Sequence, residues 1–132
     1  RLNDGTLPVS EAIVPVPDYT NFDVLRIDRD SRLTPRAIDD FAANVLPQLT
    51  EAYDLIVIDT PPVLGVADAA RVGVLADETL IVVRSGKTPE RALQNCVERL
   101  EDSGVHLSGT VMNDIEPRRY RQMNLGGGYG YY

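Results

Sequence analysis

The chain has 132 residues, an apolar content of 43%, a charged content of 25% and a net charge of −7. This is enough material for one domain with a core, and the negative charge argues against a nucleic-acid partner, because phosphate backbones are bound by clustered Lys and Arg. Cys96 is the only cysteine, which excludes an intramolecular disulfide and argues against a zinc site.

The first predicted elements are a strand and a long helix. Residues 22–27 form an apolar strand pattern, and Thr34-Pro35 is a helix-start signal, an N-cap residue followed by proline. Pro47 interrupts the helix pattern, so we expect a kink or a restart there. The apolar face of this helix is formed by Ile38, Phe41, Ala42, Val45, Leu46 and Leu49.

The next element ends in a carboxylate. Residues 55–58 are all apolar and lead into Asp59, Thr60 and two prolines. A short apolar run of this kind predicts a strand buried on both faces of a parallel sheet. Pro61 and Pro62 cannot continue a central strand, so the chain leaves the sheet just after Asp59. The carboxyl ends of such strands are where open α/β sheets bind ligands.

The remaining elements continue the alternation of strand and helix. We predict a short helix near Asp68, a strand over residues 80–83, a helix from Thr88-Pro89 to Gly104 and a strand over residues 106–112. We expect Cys96 to be a core residue on the apolar stripe of the last helix. The alternation predicts an α/β fold, a parallel sheet with flanking helices.

The end of the chain has a different composition. From Asp114 onward the periodicity disappears, and residues 125–132 contain only Leu, Gly and Tyr. We therefore predict a domain over residues 1–114 and a flexible tail rich in tyrosine and glycine over residues 115–132.

Several stretches resemble the bacterial tyrosine kinases of capsule and exopolysaccharide synthesis. The likeness lies in LIVIDTPPVL at residues 55–64, which resembles a Walker B region, in TLIVVRSGKT at 79–88, in GTVMND at 109–114 and in the terminal tyrosines. The DTPP core alone is shared with partitioning and septum-placement ATPases. The tyrosine tail favours the kinases.

One departure from this family concerns the phosphate-binding loop. The family's Walker A motif, G-x-x-x-x-G-K-[ST], is absent, because position 81 is Ile81 where Gly86-Lys87-Thr88 would require a glycine. We interpret this Gly-Lys-Thr as a strand-to-helix turn. The resemblance thus implies a partial P-loop NTPase fold lacking the Walker A strand, loop and helix. Since the sequence begins at Arg1 and not at a methionine, we expect a piece of a longer protein. In this fold the P-loop strand lies inside the sheet, so we expect its absence to leave unpaired edges beside the strand that ends at Asp59.

The resemblance implies ATP and magnesium as cofactors of the parent protein. Asp59 would act on the magnesium ion and Thr60 would support the same site; the other interpretation of Asp59 is a helix cap. Asp68 has two interpretations, a helix cap and a residue near the metal. Asn113 would meet the adenine or form a strand-end turn, and Arg84 would approach phosphate or form a surface ion pair.

The resemblance also implies phosphoacceptors and partners. Tyr120, Tyr129, Tyr131 and Tyr132 are the candidate acceptors, against the alternative of a disordered end. The expected partners are a membrane polysaccharide co-polymerase or activator domain, neighbouring kinase subunits in a ring and a cognate tyrosine phosphatase. The expected location is the cytoplasmic face of the bacterial inner membrane.

Two other functions remain open at this point. One is a partitioning-type ATPase that phosphorylates no protein. The other is an interaction module without catalysis, and we expect the 132 residues alone to be inactive as a kinase because they lack a P-loop.

Overall fold

The structure, a computed structural model, describes residues 8–25, 34–66 and 68–116. The chain divides into two compact units, Arg1–Leu75 and Ala76–Tyr132. The four tail tyrosines and most of the predicted tail lie outside the described residues. No helix in the described ranges is both long enough and apolar enough to cross a membrane.

The first unit begins with a short helix and a hairpin. Helix α1 (Val9–Ala12) leads into strand β1 (Ile13–Pro15), which pairs antiparallel with strand β2 (Asp23–Leu25). The prediction that this strand joins a parallel sheet was wrong for the described part, residues 22–25. Residues 16–22 are too short a connection for a parallel crossover, which needs about a dozen residues or more.

The predicted long helix forms in three pieces. Helix α2 (Pro35–Asp40) is followed by a π-helical segment (Phe41–Val45) and by helix α3 (Leu46–Ala52). Thr34 Oγ1 accepts a hydrogen bond from the Ala37 amide at 3.2 Å, which confirms the helix start. The predicted restart is also confirmed. Pro47 has no N–H and its ring clashes with the carbonyl four residues earlier, and the turn widens just before it, with the Leu46 amide bonded to the Phe41 carbonyl.

The core of the first unit lies between α1, the hairpin and these helices. Val9, Val45 and Leu49 form its buried centre. Val45 is 1% exposed and Leu49 is 6% exposed. Half-buried side chains that pack against this centre are Ile13, Leu25, Phe41, Tyr53 and Ile56.

Residues 55–58 differ from their prediction. They run on from α3 without strand pairing, and they are not buried on both faces. Leu55 is 79% exposed and Val57 is 83% exposed, whereas Ile56 packs against the core. A strand needs a neighbour to complete its hydrogen bonds, and no strand of the described residues pairs with this segment. The expectation of unpaired strand edges beside this segment stays a prediction.

The second unit is a strand, helix and strand. Strand β3 (Thr79–Arg84) and strand β4 (Leu107–Asn113) pair in parallel, joined by helix α5 (Glu90–Asp102). These elements confirm the predicted strands and helix. Helix α5 starts after Pro89, and the Thr88 hydroxyl does not cap it, because it accepts a hydrogen bond from the Arg84 amide instead.

The core of the second unit lies along α5. Leu100 is 2% exposed, and Val83 and Val105 are also buried. Cys96 is buried as predicted, and burial raises the pKa of its thiol, an effect that the nearby Arg99 partly offsets.

Helix α5 ends in a Schellman motif. The Gly104 amide bonds to the Glu101 carbonyl at 2.9 Å, and the Val105 amide bonds to the Leu100 carbonyl at 3.0 Å. Gly104 has a φ of +78°, and a Cβ there would meet no atom within 4 Å. The cost of a side chain at this position is therefore backbone strain alone.

We expect Gly104→Ala to lower the free energy of unfolding of this unit by about 1 kcal/mol, because the left-handed backbone conformation is strained for alanine. Hydrogen exchange of the α5 amides measures the change. Gly109→Ala is the matched control, since its Cβ would lie 3.8 Å from Leu80, an ordinary contact. An equal loss in both variants would contradict this account of Gly104.

Candidate functional site

The first candidate site residues lie where the extended segment ends. Asp59 and Thr60 are both exposed, and no hydrogen bond or ion pair engages their side chains within the described residues. The chain turns away just beyond the two prolines, where the Gly65 amide bonds to the Pro62 carbonyl at 2.9 Å. No helix of the described residues begins at Asp59, so they do not support the helix-cap interpretation, and the metal role stays a prediction.

The donor set at Asp59 fits a magnesium ion bound with a nucleotide. Magnesium usually keeps several waters and takes one or two protein carboxylates together with substrate phosphates. Asp59 offers one exposed carboxylate of that kind, and Thr60, the next residue in the sequence, offers a hydroxyl. Among the described residues there is no group of three or more His, Cys, Asp or Glu side chains able to form an all-protein metal cage.

Asp68 lies at the start of helix α4 (Asp68–Gly73), as predicted. Its half-buried carboxylate lies in the first turn, where the helix dipole favours negative charge. This position supports the helix-terminus interpretation of Asp68, and the role near a metal stays a prediction. The same helix contacts α2, and Arg71 lies 3.8 Å from Asp39 across that contact.

The second unit brings Arg84 and Asn113 together. They are partners in the parallel ladder at the carboxyl ends of β3 and β4. The Arg84 guanidinium pairs with Asp114 at 2.7 Å, which is the surface ion pair that the sequence left open. Asn113 Oδ1 accepts a hydrogen bond from the Asp114 amide at 2.8 Å, a local contact at the strand end, and the adenine role of Asn113 stays a prediction.

A turn and a cleft lie beside this pair. Lys87 and Thr88 both donate their amides to the Arg84 carbonyl, at 3.1 and 3.0 Å. This confirms that Gly86-Lys87-Thr88 is a strand-to-helix turn, with Gly86 at a φ of +67°. The cleft has a volume of about 190 Å³, below the roughly 300–1,000 Å³ of typical ligand sites. It is lined by Val83, Arg84, Ser85, Gly86, Thr88, Glu90, Leu93 and Met112.

Sequence reasoning missed two contacts of this region. It did not single out Asp114, which holds Arg84, or the Thr88 hydroxyl, which accepts from the Arg84 amide. The signal for Asp114 was weak, because it follows the strand end by one residue and its partner lies 30 residues away. Thr88 was noted only as a helix-start residue.

A further missed contact anchors the segment that leads to Asp59. The Tyr53 hydroxyl donates a hydrogen bond to Asp23 Oδ2 at 2.7 Å, joining the end of α3 to the hairpin. This hydrogen bond, with smaller contributions from burial and the negative charge of Asp23, raises the pKa of Tyr53 above its ordinary value of 10.0.

The Tyr53 contact predicts an alkaline loss of stability. Because the folded state raises the pKa of Tyr53, its contribution is complete below pH 10 and is lost as the pH rises through the folded pKa. We expect Tyr53→Phe to lower the Tm at neutral pH and to remove part of the alkaline decline. Tyr19→Phe, at a side chain that is 68% exposed, is the control. Identical pH profiles of wild type and Tyr53→Phe would contradict the prediction.

The helices and the parallel strand pair place the chain in the α/β structural class. The chain is an α/β protein in which an exposed acid, Asp59, directly follows an apolar extended segment. No protein-family model matches the sequence.

Known proteins similar to this chain are tyrosine kinases. A protein of the cps region of Klebsiella pneumoniae, named as a tyrosine-protein kinase, is 36% identical over 73 residues, which are 55% of this chain and 10% of that protein. Tyrosine-protein kinase YwqD of Bacillus subtilis is 37% identical over 81 residues, 61% of this chain and 32% of YwqD. The solved kinase domain of Escherichia coli tyrosine kinase ETK matches 98% of this chain with a TM-score of 0.66 and 28% identity.

These comparisons confirm the predicted resemblance to bacterial tyrosine kinases and the α/β fold class. The chain spans only part of these proteins. It covers 10% of the Klebsiella protein, 32% of YwqD and 49% of the solved ETK kinase domain.

Proposed function

We propose that the chain is part of an ATP-dependent protein-tyrosine autokinase that regulates the polymerisation and export of exopolysaccharide or capsule. The observation that carries the proposal is the match of 98% of the chain to the ETK kinase domain. The named kinases of similar sequence support the reaction, and the cps region named for the Klebsiella relative supports the biological setting.

In the first unit, we assign the metal role to Asp59 and a supporting hydroxyl to Thr60. When bound, magnesium would neutralise charge on the transferred phosphoryl group. The exposed Asp59 carboxylate would hold and orient the metal ion at the end of the extended segment. Asp68 lies in the first turn of α4, the helix that follows this segment in the sequence.

In the second unit, we assign nucleotide contacts to Asn113 and Arg84. The Asn113 side-chain nitrogen is a donor for an acceptor on the adenine. Arg84 is held by Asp114, and phosphate would compete with that carboxylate for the guanidinium. The cleft beside Arg84 is too small to enclose a whole nucleotide, so these residues act as an open contact surface.

The terminal tyrosines, Tyr120, Tyr129, Tyr131 and Tyr132, are the proposed phosphoacceptors. Three glycines precede Tyr129, and Gly130 lies between Tyr129 and Tyr131. Each phosphate adds about −1.5 to −2 charges. On a chain with a net charge of −7, this addition would repel adjacent subunits and loosen a ring.

The partners and location follow from the same proposal. A membrane co-polymerase or activator domain would stimulate the kinase, neighbouring subunits would present their tails, and a tyrosine phosphatase would reverse the modification. The site of action would be the cytoplasmic face of the inner membrane. We also infer that the 132 residues alone transfer no phosphate, since no G-x-x-x-x-G-K-[ST] motif occurs in them.

A chimera tests the function. In it, residues 1–132 replace the part of the ETK kinase domain that they match, and the protein is incubated with ATP and Mg²⁺. We expect peptide mass spectrometry to find phosphate on the tail tyrosines. A folded chimera that releases inorganic phosphate without phosphotyrosine would contradict the proposal and would favour the partitioning-type ATPase.

A further inference from the structure

The described residues contain two tyrosines in contrasting surroundings, Tyr19 and Tyr53. The Tyr53 side chain packs against the core of the first unit, and its hydroxyl donates a hydrogen bond to Asp23 Oδ2 at 2.7 Å. Tyr19 is 68% exposed. Phosphoryl transfer requires the accepting oxygen to come within about 3.5 Å of the phosphorus. Exposure permits that approach at Tyr19, whereas burial and the hydrogen bond oppose it at Tyr53.

The backbone places Tyr19 at the middle of the hairpin connection. Residues 16–22 join β1 to β2, and a hydrogen bond of 3.0 Å from the amide of the first of these residues to the carbonyl of the last closes the turn. Asp18 and Asn21 adopt the left-handed backbone conformation, with φ of +70° and +62°. Asp and Asn tolerate this conformation better than most residues do. Tyr19 is therefore carried on a defined turn between these two residues.

An aromatic contact orients the Tyr19 ring. Its centroid lies 5.9 Å from that of Phe22, with 69° between the two planes, which is an edge-to-face arrangement. Phe22 is itself 52% exposed, so the pair lies at the surface of the hairpin. Since the contact needs only the ring, a function of the Tyr19 hydroxyl can be separated from the stability of the turn.

We propose that Tyr19 is a phosphoacceptor on the folded hairpin, in addition to the tail tyrosines. This inference rests on the proposed tyrosine-kinase function and names a further substrate of the same reaction. Tyr19 Oη forms a bond to the γ-phosphorus of ATP, and the bond from that phosphorus to the oxygen bridging the β-phosphate breaks. ADP leaves with the electron pair, and the phenolic proton passes to water. The phosphate adds about −1.5 to −2 charges next to Asp18, an exposed acid of the same turn.

The ETK chimera tests this inference, with the tail as an internal reference for activity. After incubation with ATP and Mg²⁺, trypsin separates the two tyrosines, since residues 2–26 and residues 37–71 are each bounded by arginines. Tandem mass spectrometry then distinguishes Tyr19 from the other hydroxyl residues of its peptide. We expect phosphate on Tyr19 at about tenfold or more the occupancy of Tyr53, because Tyr53 must first break its hydrogen bond.

Tyr19→Phe is the matched variant. It should remove the phosphotyrosine from residues 2–26 and, because the ring contact persists, keep the fold that circular dichroism reports. Phosphate on the tail with none on Tyr19 would overturn this inference and leave the proposed function standing. A folded chimera without any phosphotyrosine would overturn both. Equal occupancy of Tyr19 and Tyr53 would also overturn the inference, because exposure would then not decide which tyrosine is modified.

Discussion

Replacing Asp59 with asparagine in the chimera is expected to reduce tail phosphorylation by about a hundredfold or more. Asparagine keeps the size and the hydrogen-bonding oxygen of the side chain but removes the negative charge that holds the metal. Metal ions contribute several kcal/mol of charge stabilisation in such reactions, and each 1.36 kcal/mol or so changes the rate tenfold. The rate of phosphotyrosine formation at saturating ATP and Mg²⁺ measures the effect.

The control for this variant lies on the same segment. Asp54→Asn removes another exposed carboxylate five positions earlier, and we expect it to leave the rate of phosphorylation unchanged. Because Asp59 is exposed and makes no contact in the described structure, its replacement should not alter folding. Equal rates in the two variants would remove Asp59 from the proposed metal role.

Leu100→Ala is expected to be the most destabilising single change in the second unit. Leu100 is 2% exposed and is one of the two most completely buried large side chains described. Its carbonyl also accepts the Val105 amide, so the side chain sits where helix α5 turns toward β4. Truncating a buried leucine to alanine costs about 2–5 kcal/mol, from lost burial and the cavity left behind.

The loss of stability in Leu100→Ala is measured by hydrogen exchange of the α5 amides, which reports the free energy of unfolding of the second unit apart from that of the first. Leu80→Ala is the control, because Leu80 lies on the neighbouring strand and is 58% exposed. We expect the control to change the free energy of unfolding by about 0.5 kcal/mol or less. A loss at Leu100 no larger than the loss at Leu80 would contradict the packing described here.

The sequence predicted the elements that local signals define. Thr34 caps its helix, Gly104 ends another and Pro47 marks a restart, because each acts through backbone bonds within a few residues. The hairpin pairing of Asp23–Leu25 was mispredicted because periodicity identifies a strand but not its partner. The same limit explains residues 55–58, whose apolar run predicts burial that these described residues do not provide.

For the candidate site, the sequence predicted the positions of some residues but not their contacts. The two prolines predicted that the chain leaves its extended course just after Asp59, but the sequence placed this carboxylate on a buried strand, whereas it is exposed. The position of Arg84 and Asn113 at strand ends followed from the apolar runs before them. The contacts of Arg84 with Asp114 and of Tyr53 with Asp23 join residues 30 positions apart. Such pairs depend on the register of folded elements, which no local pattern encodes.

The central claim is that Asp59 serves a nucleotide-bound metal ion. It is tested most directly by a crystal structure of the chimera with a non-hydrolysable ATP analogue and Mn²⁺ in place of Mg²⁺. Anomalous scattering then locates the ion. The account predicts a peak about 2.1 Å from an Asp59 carboxylate oxygen, or one bridging water further away. A nucleotide-bound Mn²⁺ coordinated elsewhere, with Asp59 facing only solvent, would contradict it.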